Sequence, residues 1–209
     1  MHGGGSYGHK VVKNFRVKNK KEEIGPFLTI RAMRELGTRF LTSLLDYACP
    51  ALPVQISSTL IKEDGEYIEN YREIVKNSLK SDWIPLLNSD VIMSGEYFEV
   101  ISGETILELL SEEFDVEKII VFSDTEGVFK DYPENQKLVK EINDENFKEI
   151  TESILKGNDA TGEMLHKIKK LYEIKKKNKN IECTIASGKR ENNVLNALRG
   201  ELNKCTRIK

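Results

Sequence analysis

The sequence lacks the features of a secreted or membrane-spanning protein. It has only three cysteines, and Cys49, Cys183 and Cys205 lie too far apart to suggest a disulfide framework or a zinc site. No apolar run approaches the ~18 residues that a membrane span requires. The first residues, Met-His-Gly-Gly-Gly, have neither the basic nor the apolar region of a secretory signal. We therefore predict a protein of the reducing cytoplasm with no membrane partner.

An excess of charge of one sign is also absent. The 32 Lys and Arg residues nearly balance the 34 Asp and Glu residues, for a formal net charge of -2. This balance gives no electrostatic argument for a nucleic-acid partner. Of the 209 residues, 39% are hydrophobic and 32% are charged, which is typical of a globular protein with a heavily charged surface. The chain contains no internal repeat and no linker, so we predict a single domain over residues 1–209.

Helical and strand patterns alternate along the chain. Two turn signals, Asp64-Gly65 and Ser94-Gly95, each stand between short apolar segments and predict β-hairpins. The run Ile-Ile-Val-Phe at 119–122 is the clearest buried parallel strand. By periodicity we predict helices over residues 27–48, 71–79, 103–114, 144–156, 161–177 and 191–198, and strands over residues 52–56, 83–87, 118–122 and 181–186. Such alternation favours an α/β fold with a mostly parallel sheet.

Residues 2–9, His-Gly-Gly-Gly-Ser-Tyr-Gly-His, form a glycine-rich segment. Consecutive glycines let several backbone N–H groups converge on one anion. A phosphate would fit such a loop, and His9 can add a donor or a positive charge. The alternative interpretation is a flexible N-terminal tail, and the glycine count alone does not decide between them.

Two predicted helix starts are further candidates for phosphate binding. Ser102-Gly103 follows a strand and opens a helix, where a glycine allows close approach and the helix N-terminus favours an anion. Thr161-Gly162 precedes a lysine-rich helix, with Lys167 one turn inside it as a counter-charge. In each case the alternative is an ordinary helix cap, formed by Ser102 or by Thr161.

The polar stretch 123–129, Ser-Asp-Thr-Glu-Gly-Val-Phe, follows the clearest strand. Loops at the carboxyl ends of parallel strands are where α/β proteins bind their ligands, which makes Asp124 a candidate binding residue. The alternative is a plain strand exit with an acidic turn. No histidine or asparagine pattern accompanies the cysteines, so we interpret them as packing residues.

These four segments, taken in their order along the chain, resemble those of the amino acid kinase superfamily, most closely its archaeal-type isopentenyl phosphate kinases. The resemblance extends over nearly the whole chain, and the isopentenyl phosphate branch rests mainly on the glycine loop that ends in His9. It implies a three-layer α/β sandwich with a mostly parallel central sheet. It also implies an acceptor-binding part over about residues 1–115, a nucleotide-binding part over about residues 116–209, and a homodimer.

The resemblance implies ATP-dependent, Mg²⁺-assisted transfer of a phosphoryl group to a small monophosphate, which gives isopentenyl diphosphate. It places the acceptor phosphate against Gly4, His9 and Gly103, and ATP against Gly5, Asp124, Gly162 and Lys167. It assigns the catalytic roles to His9, Lys167 and Glu104, and it implies no dedicated metal-ligating side chain. Phosphoryl transfer needs mainly positioning and charge stabilisation, which such residues supply.

The sequence also departs from the family pattern. The family begins with a strand and a Lys-x-Gly-Gly-Ser loop, so we expect an N-terminal strand–helix–strand segment to be missing here. We interpret Met1 either as an internal methionine taken for the start or as the start of a truncated gene. Inside the motifs, carboxylates of different length replace aspartates at Glu104 and Glu126, and larger residues replace glycines at Ser89, Glu163 and Cys205.

Three hypotheses follow. The first is a kinase of isopentenyl phosphate or a related small monophosphate. The second is a degenerate, non-catalytic relative that binds an anionic metabolite, favoured by the departures in the nucleotide half. The third is another kinase of the superfamily, acting on a carboxylate or a phosphonate. In the first, the family pattern implies that the helix over residues 27–48 lines the acceptor pocket, where Phe27, Phe40 and Leu41 would set the chain length.

Overall fold

A computed structural model describes residues 1–5, 7–8, 24–132, 134, 136–156 and 162–209. The chain divides into two compact units, Met1–Leu107 and Glu108–Lys209. Each unit has its own sheets and helices. That the two units make up a single domain stays a prediction.

The first unit combines a two-stranded parallel sheet with a four-stranded mixed sheet. Its elements are α1 (Gly25–Asp46), β1 (Ala51–Val54), α2 (Ile56–Thr59), β2 (Leu60–Glu63), β3 (Glu66–Glu69), α3 (Arg72–Lys80), β4 (Ile84–Leu87), β5 (Asp90–Ser94), β6 (Tyr97–Ile101) and the start of α4 (Gly103–Glu113). Strands β1 and β4 pair in parallel, and the second sheet has the order β3-β2-β5-β6. The core of this unit includes Met33, Ile56, Leu60, Ile92 and Ile106, all at most 2% exposed.

Local turn chemistry forms both hairpins of this unit. Asp64 (φ 51°) and Gly65 (φ 88°) are consecutive left-handed residues, which is the requirement of the tight turn that joins β2 to β3. Gly95 (φ 57°) supplies the corresponding conformation between β5 and β6. Both hairpins are therefore confirmed at the predicted positions.

The second unit is built on a four-stranded sheet of order β10-β12-β11-β7. Its elements are the rest of α4, β7 (Lys118–Ser123), β8 (Val128–Phe129), β9 (Leu138–Val139), β10 (Glu141–Ile142), α5 (Phe147–Lys156), α6 (Glu163–Lys177), β11 (Glu182–Ser187), α7 (Asn193–Arg199) and β12 (Cys205–Ile208). The predicted parallel strand is confirmed, because β7 pairs in parallel with β11 along its whole length. Helix α6 buries Ile168, Leu171 and Ile174 at helical spacing and carries lysines elsewhere.

The α/β class is confirmed, with some corrections in detail. Parallel pairing holds for β1 with β4 and for β7 with β11, while the hairpin sheet of the first unit is largely antiparallel. Ile56 was predicted to end a strand, but it opens the short helix α2, because β1 already ends at Val54. Strand β12 was not predicted. Among the described residues, no helix is both long enough and apolar enough to cross a membrane.

An ion-pair cluster joins α4 to α6 within the second unit. The Glu108 carboxylate, 14% exposed, accepts hydrogen bonds from Lys170 and Lys177 at 2.8 Å each, and Lys177 also donates to Glu112 at 2.6 Å. Burial pushes the pKa of Glu108 upward, but the two lysine hydrogen bonds outweigh that effect and hold the pKa below its usual value. Glu108 therefore stabilises the fold in its charged form.

Replacing this carboxylate is expected to destabilise the protein. Glu108→Gln should lower the free energy of unfolding by about 1–2 kcal/mol, because two charge-assisted hydrogen bonds are lost. The stabilisation is fully present above the pKa of Glu108 in the unfolded chain and is lost as the pH falls through its lower folded-state pKa. Urea unfolding at pH 7 and pH 3 measures both effects. The control is Glu112→Gln, because Glu112 is 46% exposed and pairs with one lysine; an equal loss in both variants at pH 7 would contradict the cluster's role.

Candidate functional site

The N-terminal residues join the carboxyl end of β4. The backbone N–H of His2 donates to the Leu87 carbonyl at 3.0 Å, and the N–H of Ser89 donates to the His2 carbonyl at 3.1 Å. Residue 2 thus extends the β1–β4 sheet as a parallel bridge opposite Asn88. The glycine loop leaves the sheet where parallel strands end, which is a common place for ligand binding in α/β proteins.

Two glycines of the loop, Gly4 and Gly8, pack so closely that a side chain at either position would displace its neighbours. The N–H of Gly8 donates to the Gly4 carbonyl at 2.9 Å. A Cβ at Gly4 would lie 3.2 Å from the Gly8 Cα and 3.4 Å from the Met33 Sδ, and a Cβ at Gly8 would lie 3.1 Å from that sulfur. Gly5 has a left-handed φ of 46°. The described part of the loop is packed on α1, so the interpretation as a flexible tail is wrong for those residues.

His2 is a packed residue of this loop. It is 7% exposed, and its ring stacks on Phe40 of α1 with a centroid distance of 4.6 Å and an interplanar angle of 14°. Burial lowers the pKa of His2, so the ring is neutral at physiological pH. Sequence reasoning missed this contact, because 38 residues separate the two rings and neither position shows a pattern that predicts it. The other histidine of the loop, His9, lies outside the described residues.

The start of α4 lies against the same N-terminal segment. The Ser102 hydroxyl accepts a hydrogen bond from the N–H of Thr105 at 3.1 Å, which confirms that Ser102 caps the helix. Gly103 is buried, and a Cβ there would lie 3.3 Å from the Met1 Cε. Glu104 lies in the first turn. The structure thus brings the Gly103 helix start next to the segment that carries Gly4 and Gly5.

A buried carboxylate supports this end of the sheet. Asp90 is 2% exposed and accepts hydrogen bonds from the N–H groups of Val91 at 2.9 Å and Ser57 at 3.2 Å. Burial raises the pKa of the Asp90 carboxyl, an effect that its hydrogen bonds oppose without cancelling. Asp90 ties the first turn of α2 to the start of β5, next to Ser89, which bonds to His2. Sequence reasoning did not single it out as a functional residue.

In the second unit, two loops lie side by side at the carboxyl ends of β7 and β11. Ser123 pairs with Ser187 in register, and the N–H of Gly188 donates to the Ser123 carbonyl at 2.9 Å. Asp124 follows, with a side chain that is 79% exposed and an ion pair to Lys189 at 3.5 Å. The prediction of a polar loop at a parallel strand end is confirmed.

Glu126 pairs with two of the residues that line a pocket beside these loops. Its carboxylate pairs with Arg190 and, at 3.3 Å, with Lys204. The pocket has a volume of about 270 Å³ and is lined by Arg190, Glu191, Asn193, Asn196, Asn203 and Lys204. Sequence reasoning noted Glu126 only as a replaced aspartate and did not foresee that it would pair with two cations.

The turn before α6 provides the second candidate phosphate site. Gly162 has a left-handed φ of 67°, and a Cβ there would meet no atom of the described residues within 4 Å. The Lys167 ammonium lies 3.7 Å from the Glu163 carboxylate, one helical turn apart. The residue that replaces a family glycine therefore contacts the lysine that the resemblance assigns to ATP. Thr161 lies outside the described residues.

The remaining candidates are cysteines and metal ligands. The three cysteines are free, Cys183 and Cys205 are buried, and burial raises the pKa of the Cys183 thiol to about 11. These two are packing residues, as predicted. In the part of the chain that the structure describes, no group of three or more His, Cys, Asp or Glu side chains is arranged to hold a metal ion.

Comparison with known proteins places the chain in a family. The sequence pattern of the amino acid kinase family matches residues 1–187. The isopentenyl phosphate kinase of Methanocaldococcus jannaschii is 29% identical over 211 residues, which cover 97% of this chain and 77% of that protein. The isopentenyl phosphate kinase of Methanothermobacter thermautotrophicus is 25% identical over 222 residues, which cover 100% of this chain and 82% of that protein.

A solved structure shows the same fold. One described as an isopentenyl phosphate kinase superposes on this chain with a TM-score of 0.81 at 23% identity, covering 100% of this chain and 82% of its own. The family match over residues 1–187 spans the glycine-rich segment, the Gly103 helix start, the loop after β7 and the turn before α6. The chain therefore belongs to the amino acid kinase family, and its relatives identify it as a phosphotransferase.

Proposed function

We propose that this protein is an ATP-dependent kinase that phosphorylates isopentenyl phosphate, or a similar small monophosphate, to the diphosphate. The observation that carries the proposal is the glycine loop, packed at the carboxyl end of β4 beside the Gly103 helix start. That arrangement offers backbone N–H groups and a helix N-terminus to an anionic group, such as the phosphate of the acceptor. The names of the two archaeal relatives support the same acceptor.

The acceptor phosphate is proposed to bind in the first unit. Backbone N–H groups of the loop around Gly4, together with the N-terminus of α4 at Gly103, would donate hydrogen bonds to its oxygens. Close packing of Gly4 and Gly8 on Met33 holds this backbone in place. His9 is proposed to donate to the same phosphate, and Glu104 to orient the cationic groups nearby.

The nucleotide is proposed to bind through Gly5, Asp124, Gly162 and Lys167. A phosphate would bind at the start of α6, where no described residue lies within 4 Å of a Cβ built on Gly162, and Lys167 would neutralise its charge. Mg²⁺ commonly binds through one or two carboxylates and the phosphates of its nucleotide. Asp124, an exposed carboxylate of the loop after β7, would be available to a Mg²⁺ ion that is bound to the phosphates of ATP.

In the proposed reaction an oxygen of the acceptor phosphate forms a bond to the γ-phosphorus of ATP. The bond between that phosphorus and the β–γ bridging oxygen breaks, and ADP leaves with the electron pair. The protein contributes positioning and charge stabilisation, with little covalent chemistry of its own. The family resemblance also favours a homodimer, which analytical ultracentrifugation would detect.

Glu163 is expected to weaken ATP binding, because its carboxylate competes with the nucleotide for Lys167. Glu163→Gln should lower KM for ATP about 3–10-fold, which corresponds to ~1 kcal/mol, with KM for the acceptor unchanged. The control is Glu173→Gln on the same helix, because Glu173 pairs with Lys170 at 3.1 Å. Equal KM values for ATP in the wild type and Glu163→Gln would show that the pair does not restrain Lys167.

An acceptor panel tests the proposed function. ADP release is measured with isopentenyl phosphate, a longer isoprenyl phosphate, UMP, glutamate and a phosphonate. For one of the two isoprenyl monophosphates, kcat/KM should be at least tenfold higher than for UMP, glutamate or the phosphonate. A preference for glutamate or the phosphonate would instead support another kinase of the family.

A non-catalytic binding protein is the second candidate, and the contact between Glu163 and Lys167 favours it. Calorimetry separates it from a kinase. Tight binding of isopentenyl phosphate without binding of Mg-ATP, and no turnover in the panel, would establish the binding protein and overturn the proposed kinase.

A further inference from the structure

One face of α1 contacts the glycine-rich segment through three residues, each about one helical turn after the previous one. Met33 lies under Gly4 and Gly8, Gly37 faces the His2 ring, and Phe40 stacks on that ring. The spacing 33, 37, 40 places these residues on one face of a helix. We refer to Met33, Gly37 and Phe40 as the loop-facing stripe.

His2 connects this stripe to the sheet. Its backbone hydrogen bonds on both sides hold it to the end of β4, at 3.0 Å and 3.1 Å. Its ring, with Nδ1 3.2 Å from the Gly3 carbonyl, lies flat on Phe40. His2 is thus fixed from two directions, and the loop begins at the next residue.

Gly37 is required for this arrangement. A Cβ at position 37 would lie 3.3 Å from the His2 Nε2 and 3.9 Å from its Cε1. Those atoms belong to a ring that is fixed by stacking and by its backbone, so it has little freedom to yield. Glycine inside a 22-residue helix is otherwise unfavourable compared with alanine, so its presence here has a packing reason.

The ring of His2 packs and does not act as a cation. It is buried, and burial lowers the pKa of His2, so a positive charge on it is disfavoured. Phe40, in turn, is 44% exposed, and its described ring contact is with His2. The prediction that Phe40 sets the length of the acceptor chain gains no support from this geometry.

We propose that His2 and Phe40 are positioning residues, which hold the glycine loop in the conformation that binds the acceptor phosphate. This inference rests on the proposed function, because the loop is the proposed acceptor site. A displacement of about 1 Å in a binding loop can lower a rate by up to about 10²-fold, so a stacked pair that fixes the loop has a measurable consequence.

Exchange and kinetics test the proposal together. In Phe40→Ala, hydrogen exchange of the peptide that spans the glycine loop should accelerate at least tenfold in the free protein. KM for isoprenyl monophosphates of every chain length should rise about tenfold, and KM for ATP should rise less, because Gly5 alone in this loop is proposed to contact the nucleotide. Phe40→Tyr retains the stack and should behave as wild type. Leu45→Ala, at an exposed position of the same helix, serves as the matched control.

Gly37→Ala separates positioning from stability. Alanine is more favourable than glycine in a helix. If Gly37 did not position the loop, Gly37→Ala would therefore leave the loop unchanged and the thermal stability unchanged or higher. The proposal predicts instead faster exchange in the loop and a higher acceptor KM, without a loss of melting temperature.

Unchanged loop exchange in both Phe40→Ala and Gly37→Ala would overturn the proposal. A changed chain-length preference with an unchanged loop would also overturn it and would restore Phe40 as a length-determining residue. The exchange measurement needs no turnover. If the protein proved inactive on every monophosphate, the proposed function would fail while the loop's dependence on Phe40 would still be measured.

Discussion

Replacing Lys167 with methionine is expected to lower kcat/KM for ATP about 10³-fold, because one charge-stabilising cation in phosphoryl transfer is worth about 10³–10⁵ in rate. The Lys167 side chain is 20% exposed and lies one turn after the Gly162 turn, next to Glu163. Methionine preserves most of the aliphatic side chain, so the fold should remain intact. The affinity for the acceptor should also remain, because the acceptor residues lie in the other unit.

The matched control is Lys169→Met on the same helix, at an exposed position. Steady-state kinetics with ATP varied, circular dichroism and calorimetric titration of isopentenyl phosphate measure the three properties separately. A loss of less than tenfold in kcat/KM for Lys167→Met, with the control unchanged, would remove Lys167 from the nucleotide site. A loss of acceptor binding as well would indicate a general structural defect.

Replacing Gly127 with alanine is expected to destabilise the protein by about 3 kcal/mol, through overpacking and a disrupted buried hydrogen-bond network. A Cβ at this position would lie 2.5 Å from the Thr206 Oγ1 and 3.0 Å from the Thr206 backbone nitrogen. Thr206 is fully buried, and its hydroxyl accepts from the N–H of Val128 at 2.8 Å and donates to the Val139 carbonyl at 2.6 Å. The hydroxyl cannot move away without losing both partners.

Guanidinium unfolding of Gly127→Ala measures this loss. Gly3→Ala is the control, because a Cβ at Gly3 meets no atom of the described residues within 4 Å, and it should change the free energy of unfolding by less than about 0.5 kcal/mol. A stability of Gly127→Ala within that same range would mean that the loop after β7 yields easily.

Much of the fold could be predicted because its signals are local. The two-residue turn at Asp64-Gly65 specifies its hairpin through backbone conformation alone. Strand β7 is apolar over consecutive residues because it lies inside a parallel sheet, and Pro26 and Pro50 bracket the first helix. The Ser102 cap was one of two interpretations of a single motif, and the hydrogen bond from Thr105 confirms the cap. Phosphate binding at Gly103 stays a proposal beside it.

The remaining features depend on residues that meet only in three dimensions. Strand β12 has four residues and is held by parallel pairing to β10 and antiparallel pairing to β11, which no local pattern in Cys205–Ile208 predicts. The stack of His2 on Phe40 joins the chain's first residues to a helix. The carboxylates Asp90 and Glu126 take their roles from backbone and cationic partners that are distant in sequence.

The family of this protein could be predicted from its motifs, whereas the roles of individual residues in the site could not be established from the sequence. The amino acid kinase family, suggested by the order of the motifs, is confirmed by the match over residues 1–187. The residue-level roles of Gly4, Gly103, Asp124 and Lys167 stay predictions. The structure adds the contacts that decide how each of them would act, above all the pairing of Lys167 with Glu163 and the packing under the glycine loop.

Hydrogen exchange with each ligand added separately is the most direct test of how the two substrates are bound. Isopentenyl phosphate alone should protect the glycine-loop peptide and the start of α4 around Gly103, and should leave the peptide over residues 162–168 unchanged. A non-hydrolysable ATP analogue with Mg²⁺ should protect the loop at Asp124 and the start of α6 at Gly162. Protection of the glycine loop by neither ligand, or protection of the Gly162 turn by isopentenyl phosphate alone, would contradict the proposed division between acceptor and nucleotide residues.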